Sequence, residues 1–297
     1  MNMDQPVQTP LNYGGIEPPL NEWKTSRVTV IPVPYDATTT YITGTRNGPA
    51  AIIDASSHME LYDEELEKAT CRMGIHTRMA LPVSAEKPET MLRMVSEVVS
   101  LSVQSEKLPV VVGGEHSISL GAIRPLIEQY PRLSVLQLDA HADLRDSYEG
   151  TPYNHACVGR RISELCSLVQ VGVRSMSQEE ADFKRSSPVV TVFDHHLKQG
   201  KKVLEDVIQT LTDDVYLTID LDVLDSAIMP SVGTPEPGGL GWYDTIGLLR
   251  TLCRRKRVVS FDVVELCPQP GNVGPDFLAA KLIYRIMGYV AESRGWL

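Results

Sequence analysis

RLSVLQLDAHAD, residues 132–143, opens as an apolar run and closes on Asp139, His141 and Asp143 at alternate positions. The run is too short for a helix and rich in β-favouring side chains, so it predicts a strand. Alternate residues of an extended chain share a face, and those three polar groups can therefore address one locus. Working outward, the same form recurs. LPVVVGG from Leu108 gives way to Glu115, His116 and Ser117, and DVYLTIDL from Asp214 ends on Asp220, with Asp222 two residues on. RVTVIPVP from Arg27, LVQVGV from Leu168, PVVTVF from Pro188 and RVVSFDVVEL from Arg257 are further predicted strands.

Helical periodicity fills the intervals over residues 88–106, 118–130, 198–211, 243–255 and 276–293. In the last of these, Phe277, Leu278, Leu282, Ile283, Ile286 and Met287 are spaced to form one buried face. Short apolar strands alternating with helices predict an α/β protein with a mainly parallel sheet. No internal repeat or composition shift divides residues 27–297, which are expected to form a single catalytic domain. Residues 1–26, rich in Pro, Gly, Asn and Gln, are expected to form an extended arm on the body or on a neighbouring subunit.

The 297 residues are 42% hydrophobic and 22% charged, an ordinary globular balance. A net charge of -10 argues against nucleic acid, which needs a basic stripe to displace counterions, and suits a small cationic ligand. The five cysteines are odd in number, far apart and never paired as Cys-x-x-Cys, so neither a disulfide framework nor a zinc ribbon is expected. MNMDQPVQTP lacks a basic leader and an apolar core, and no apolar run reaches membrane-spanning length. A cytoplasmic protein without a membrane partner is the expectation.

In parallel sheets ligands bind beyond the carboxyl ends of the strands, where four carboxylates and two imidazoles here gather: His116, Asp139, His141, Asp143, Asp220 and Asp222. Buried together they demand compensating positive charge. Two divalent cations sharing carboxylates, on the order of ~3.5–4 Å apart, fit six mixed oxygen and nitrogen ligands better than one. Such ligands exclude an all-thiolate site and favour manganese, with zinc, nickel and cobalt left open.

VGGEHS (112–117), LDAHAD (138–143) and DLDVLD (220–225) resemble the three metal-binding signatures of the arginase and agmatinase ureohydrolases. GTRNGPAAI (44–52), GTPEPGGL (233–240) and FLAAKLIYRIM near the C-terminus extend the resemblance over nearly the whole chain from about Val30. It implies a three-layer αβα fold of the arginase/deacetylase type and two Mn2+ per subunit. One ion would be held by His116, Asp139, Asp143 and Asp220, the other by Asp139, His141, Asp220 and Asp222. A hydroxide bridging them would attack the guanidinium carbon, with Asp143 accepting a hydrogen bond. His155, in GTPYNHACVG, matches the family's proton-shuttle position, and Glu265, ending SFDVVEL, matches the residue that grips the guanidinium. The resemblance also implies a homo-oligomer, trimeric or hexameric.

The metal centre sees only the guanidinium head, so the tail names the substrate. Asp146, Glu149 and Glu236 suggest a cationic tail and therefore agmatine, split into putrescine and urea. Aminopropylagmatine, guanidinobutyrate and arginine remain alternatives, as do a metal-dependent deacetylase and a non-catalytic polyamine-binding regulator of the same fold. Ser226, Ser231, Val232 and Ala156 depart from residues usual in the family and bear on the loops around the tail.

Overall fold

The computed structural model describes residues 11–83, 87–197 and 201–297. Residues 1–10 of the expected arm and 198–200 of an expected helix lie outside them. In chain order the elements are β1 (Val28–Val33), α1 (Gly48–Ser56), β2 (Tyr62–Asp63), β3 (Lys68–Ala69), β4 (Ile75–Thr77), α2 (Pro88–Gln104), β5 (Leu108–Gly113), α3 (Ser119–Gln129), β6 (Ser134–Leu138) and α4 (Val158–Ser163). There follow β7 (Ser167–Val173), α5 (Gln178–Ser186), β8 (Val190–Phe193), α6 (Asp194–Leu197), α7 (Lys201–Thr210), β9 (Asp214–Asp220), α8 (Trp242–Arg255), β10 (Arg257–Val264) and α9 (Gly274–Ser293).

Eight strands form one sheet in the order β4-β1-β5-β10-β9-β6-β7-β8, and every neighbouring pair is parallel. Strands buried on both faces lose the alternation of a half-wet strand, which is why β5 is continuously apolar and β9 runs Val-Tyr-Leu ahead of Thr218 without a charged residue between its terminal aspartates. One face sets Val110, Val112, Leu217, Ile219, Phe261 and Val263 against α1, α8 and α9. The other sets Ile31, Val33, Val111 and Val135 against α2, α3 and α4. Each fully buried aliphatic side chain of this kind contributes about 1.5–3 kcal/mol, so the three layers are held chiefly by this double core.

All the strands expected from sequence are present, and β4 is added at an edge, where three residues are too few to show a period. One expectation for α9 needs correcting. Phe277 is 41% exposed, whereas every residue from 282 to 291 is buried. Periodicity identifies a face, but it is blind to how far the neighbouring elements reach: α1, α8 and the β2–β3 hairpin enclose the middle of this helix. Arg285 accordingly points inward and pairs with Asp63 at 2.6 Å. The described part of the N-terminal segment lies against the body, where buried Tyr13 donates its hydroxyl to the Ala280 carbonyl at 2.5 Å.

At the end of β5 the backbone turns under β1. Gly114 donates its N–H to Val33 O at 2.9 Å, and a Cβ there would stand 1.9 Å from Tyr35 O. Only glycine permits this approach. Gly114→Ala is expected to lower unfolding stability by about 3 kcal/mol, measured by urea denaturation. A loss below about 1 kcal/mol would show that the two loops part freely.

Candidate metal centre

The chain leaves β5 through α3 and enters β6 three positions away, with β10 and β9 later filling the gap. A crossover of this kind opens a crevice beyond the strand ends. The four adjacent strands β5, β10, β9 and β6 bring their carboxyl ends to that crevice, carrying in turn His116, Glu265, Asp220 with Asp222, and Asp139 with His141 and Asp143.

His116 Nδ1 lies 3.0 Å from Asp139 Oδ2 and 3.3 Å from both Asp143 Oδ2 and Asp220 Oδ2. His141 Nδ1 lies 2.8 Å from Asp222 Oδ2 and 3.8 Å from Asp139 Oδ1. Two ligand sets result, His116–Asp139–Asp220 and Asp139–His141–Asp222, with donor atoms within 4.8 Å of one another in each. Asp139 belongs to both, and Asp143 stands beside the first.

The alternation that suggested this gathering is only part of its cause. β6 ends at Leu138, and Asp143 turns back through a left-handed backbone conformation, φ 52°. Asp222 lies in a short 3-10 turn, Leu221–Val223, whose N-cap is Asp220. Glu265 is also left-handed, φ 67°. Turns, more than strand pleating, aim these carboxylates.

His116 tests whether the residues suit a metal. Its Nε2 contacts Thr218 Oγ1 at 2.8 Å, and that hydroxyl donates to Asp262 Oδ1 at 2.6 Å. With its proton committed, Thr218 accepts from Nε2–H, which leaves Nδ1 as the second ring nitrogen. Nδ1 is buried without a hydrogen-bond partner, yet three carboxylate oxygens surround it. A lone pair so placed needs positive charge between it and the oxygens, which a divalent cation supplies.

The titration behaviour carries the same message. Burial, reinforced by Asp139, pushes the Asp143 carboxyl up to about 7. Burial, then Asp222 and Asp139, raises Asp220 well above the carboxylate range. For His141, burial opposes protonation, but Asp222 and Asp139 overcome it and lift the imidazole to about 11. Burial would raise Asp222, but His141, the Ala140 N–H and Asp220 together bring it down.

A cavity of about 290 Å³ covers the cluster, lined by His116, His141, Asp143, Asp220, Asp222, His155 and Glu265, with Tyr148 and residues 39–42 around it. All eight residues singled out from sequence thus lie in or beneath one crevice, Asp139 fully buried at its floor. Two of the acids considered for the tail do not. Asp146 is exposed and pairs with Arg161 at 2.7 Å, and Glu149 is exposed on the Tyr148–Thr151 turn. Glu236 stays near the centre, its Oε1 3.8 Å from His141 Nε2.

Sequence reasoning passed over the supports. Tyr216 and Thr218 donate to Asp262 beneath His116. Gln170 donates to Gln137 at 3.0 Å, and Gln137 donates to Asp139 at 2.8 Å. Each is a polar residue inside a strand whose neighbours are apolar, and that interruption is the signal a sequence offers.

Comparison with known proteins agrees with this geometry. The arginase family model matches residues 26–288, and the chain belongs to the arginase family. It is 38% identical to the N(1)-aminopropylagmatine ureohydrolase of Synechocystis, over 93% of this chain and 92% of that one. It is 36% identical to the agmatinase of Pyrococcus horikoshii, over 93% of this chain and 96% of that one. The solved agmatine ureohydrolase of Thermoplasma volcanium superposes with a TM-score of 0.88 at 31% identity, covering 97% of both chains. The protein is therefore a ureohydrolase, a hydrolase of guanidino compounds in a family that depends on a binuclear metal centre.

Thr218→Val removes the acceptor that orients His116, and it is expected to weaken metal binding about 10–100-fold. Titration calorimetry on chelator-treated protein measures this, and an unchanged affinity would dismiss the orienting role. In wild-type protein the same titration should show net proton release on metal binding, read from the dependence of the heat on buffer ionisation enthalpy.

Proposed function

We propose that the chain splits urea from agmatine or its N1-aminopropyl derivative, leaving putrescine or spermidine. The observation that carries this reading is the state of Glu265. Its Oε1 accepts the His116 main-chain N–H at 2.6 Å, Oε2 has no hydrogen-bond partner among the described residues, and the residue lines the cavity. Burial and the nearby Glu115 raise its pKa well above the usual value, so an arriving cation is what favours its ionised form. A planar guanidinium, offering parallel N–H donors, satisfies such a carboxylate.

Two divalent cations at the paired ligand sets supply Lewis acidity that brings a water's pKa toward neutrality. The oxygen and imidazole donors suit manganese. Asp143, on the cavity wall, would accept a hydrogen bond from the attacking oxygen. The departing amine needs a proton, and His155 lines the same cavity. Burial holds the His155 imidazole down to about 4, so at neutral pH it arrives uncharged, ready to take up a proton released in the reaction and pass it on. The same reading includes a cytoplasmic homo-oligomer, trimeric or hexameric. Among the described residues no helix is long and apolar enough to cross a membrane.

Tail choice is carried by the names of the relatives and by Glu236, the acid that remains near the centre. Urea release should be assayed with manganese on agmatine, aminopropylagmatine, arginine, guanidinobutyrate and formiminoglutamate. Turnover confined to the first two supports the assignment; preference for arginine or guanidinobutyrate overturns it. Glu265→Gln should keep its metal yet lose about 100-fold or more in kcat/KM on the best substrate, and an unchanged value would remove the guanidinium contact.

A further inference from the structure

His155 enters the cavity on a short 3-10 turn, His155–Cys157, capped by the Asn154 side chain, which accepts from Ala156 N at 2.9 Å. Its ring has one hydrogen-bonding partner among the described residues. Nδ1 lies 3.3 Å from Thr38 Oγ1, and the same oxygen accepts the His155 main-chain N–H at 3.1 Å. Thr38 is buried and fully engaged beyond it. Its hydroxyl donates to Glu115 Oε1 at 2.6 Å, and its main-chain N–H donates to Glu115 Oε2 at 2.6 Å. Ser117 adds its own hydroxyl to Glu115 Oε1 at 2.5 Å.

A threonine hydroxyl has one proton and two lone pairs. Glu115 in its ionised form takes that proton, and Thr38 Oγ1 then meets the ring as an acceptor. Nδ1 therefore carries the hydrogen of the neutral imidazole, and Nε2, on the opposite edge, is the bare nitrogen left for the cavity. This is the tautomer a proton shuttle needs, because a ring with hydrogen on Nε2 could give a proton but not first receive one there.

We propose that Thr38, braced by Glu115, is a positioning residue that sets the tautomer and ring orientation of His155. Nε2 then takes the proton that the attacking oxygen still carries once the C–O bond has formed, and delivers it to the leaving nitrogen as the C–N bond breaks. The inference rests on the reading of His155 as that shuttle.

Three variants test it in the manganese-loaded enzyme. Thr38→Val keeps the shape and removes the hydroxyl; kcat is expected to fall about 10–100-fold with KM within about twofold and metal content unchanged. Thr38→Ser keeps the hydroxyl and should stay within about threefold of wild type in kcat. Imidazole 15N spectra of protein loaded with diamagnetic magnesium should show hydrogen on Nδ1 of His155 in the wild type and its loss from that position in Thr38→Val. Hydrogen on Nε2 in the wild type overturns the proposal, as does an undiminished kcat in Thr38→Val or an equal loss in Thr38→Ser. His155→Asn separates the two levels. If it loses activity while Thr38→Val does not, the positioning role alone falls; if it keeps wild-type kcat, the shuttle reading falls and takes the inference with it.

Discussion

Dense negative charge, removed from water, is the constraint on which the rest of this structure turns. Asp139, Asp143, Asp220, Asp222 and Glu265 are each less than one-tenth exposed, and they crowd the ends of three neighbouring strands, β10, β9 and β6. Isolated, such carboxylates would each lose several kcal/mol of hydration. The fold answers in two ways. One oxygen of each of four carboxylates accepts a main-chain N–H from a ligand-bearing loop: Asp139 from His141, Asp220 from Asp222, Asp222 from Ala140 and Glu265 from His116. Two of these charge-assisted bonds fix a loop onto itself, and two join neighbouring loops at the rim, β9 to β6 through Asp222 and Ala140 and β10 to β5 through Glu265 and His116. The remaining charge is left for cations, and that residual demand suits the cluster to the metal centre on which the family depends.

Rigidity beneath the rim comes from polar groups in places where a parallel sheet ordinarily puts valine and isoleucine. Tyr216, Thr218 and Asp262 form a chain under His116, while Thr191, Gln170 and Gln137 form another under Asp139. Both chains run across strands, perpendicular to the sequence. They are satisfied networks, which stiffen a core where a partly paired one would weaken it. The left-handed backbone at Asp143 and Glu265 belongs to the same economy. For residues with a Cβ that conformation costs roughly 1–2 kcal/mol, and the surrounding hydrogen bonds hold it where an aimed carboxylate is needed.

This division explains what could be seen in the chain alone. Strands such as LPVVVGG and DVYLTIDL announce themselves, since burial on both faces leaves an apolar run that polar ligands visibly terminate. The gathering of His116, His141 and Asp222 at the strand ends was legible for that reason. The order of the strands was not, because nothing local in LPVVVGG states that β10 will be its neighbour. Thr38 and Thr218 were hidden for a related reason: a lone threonine acquires its role from a partner 77 or 44 residues away. Asp146 and Glu149 show the opposite error. Their proximity in sequence to Asp143 suggested a shared pocket, whereas Arg161 draws the first outward and a surface turn carries the second.

Head and tail of a substrate are consequently met by different kinds of structure. The guanidinium would be met at strand ends and braced turns, where displacement of one ligand would strain several others. The tail would be met by residues 39–42, Tyr148 and the loop around Thr234, segments held by fewer cross-links and partly open to solvent, as Tyr41 at 75% exposure shows. Loops on a rigid scaffold are where sequence can change without unfolding the core. A family built this way keeps one hydrolytic head chemistry while its members differ in the amine they release, and the physical boundary between these two properties here falls at the rim of the metal crevice.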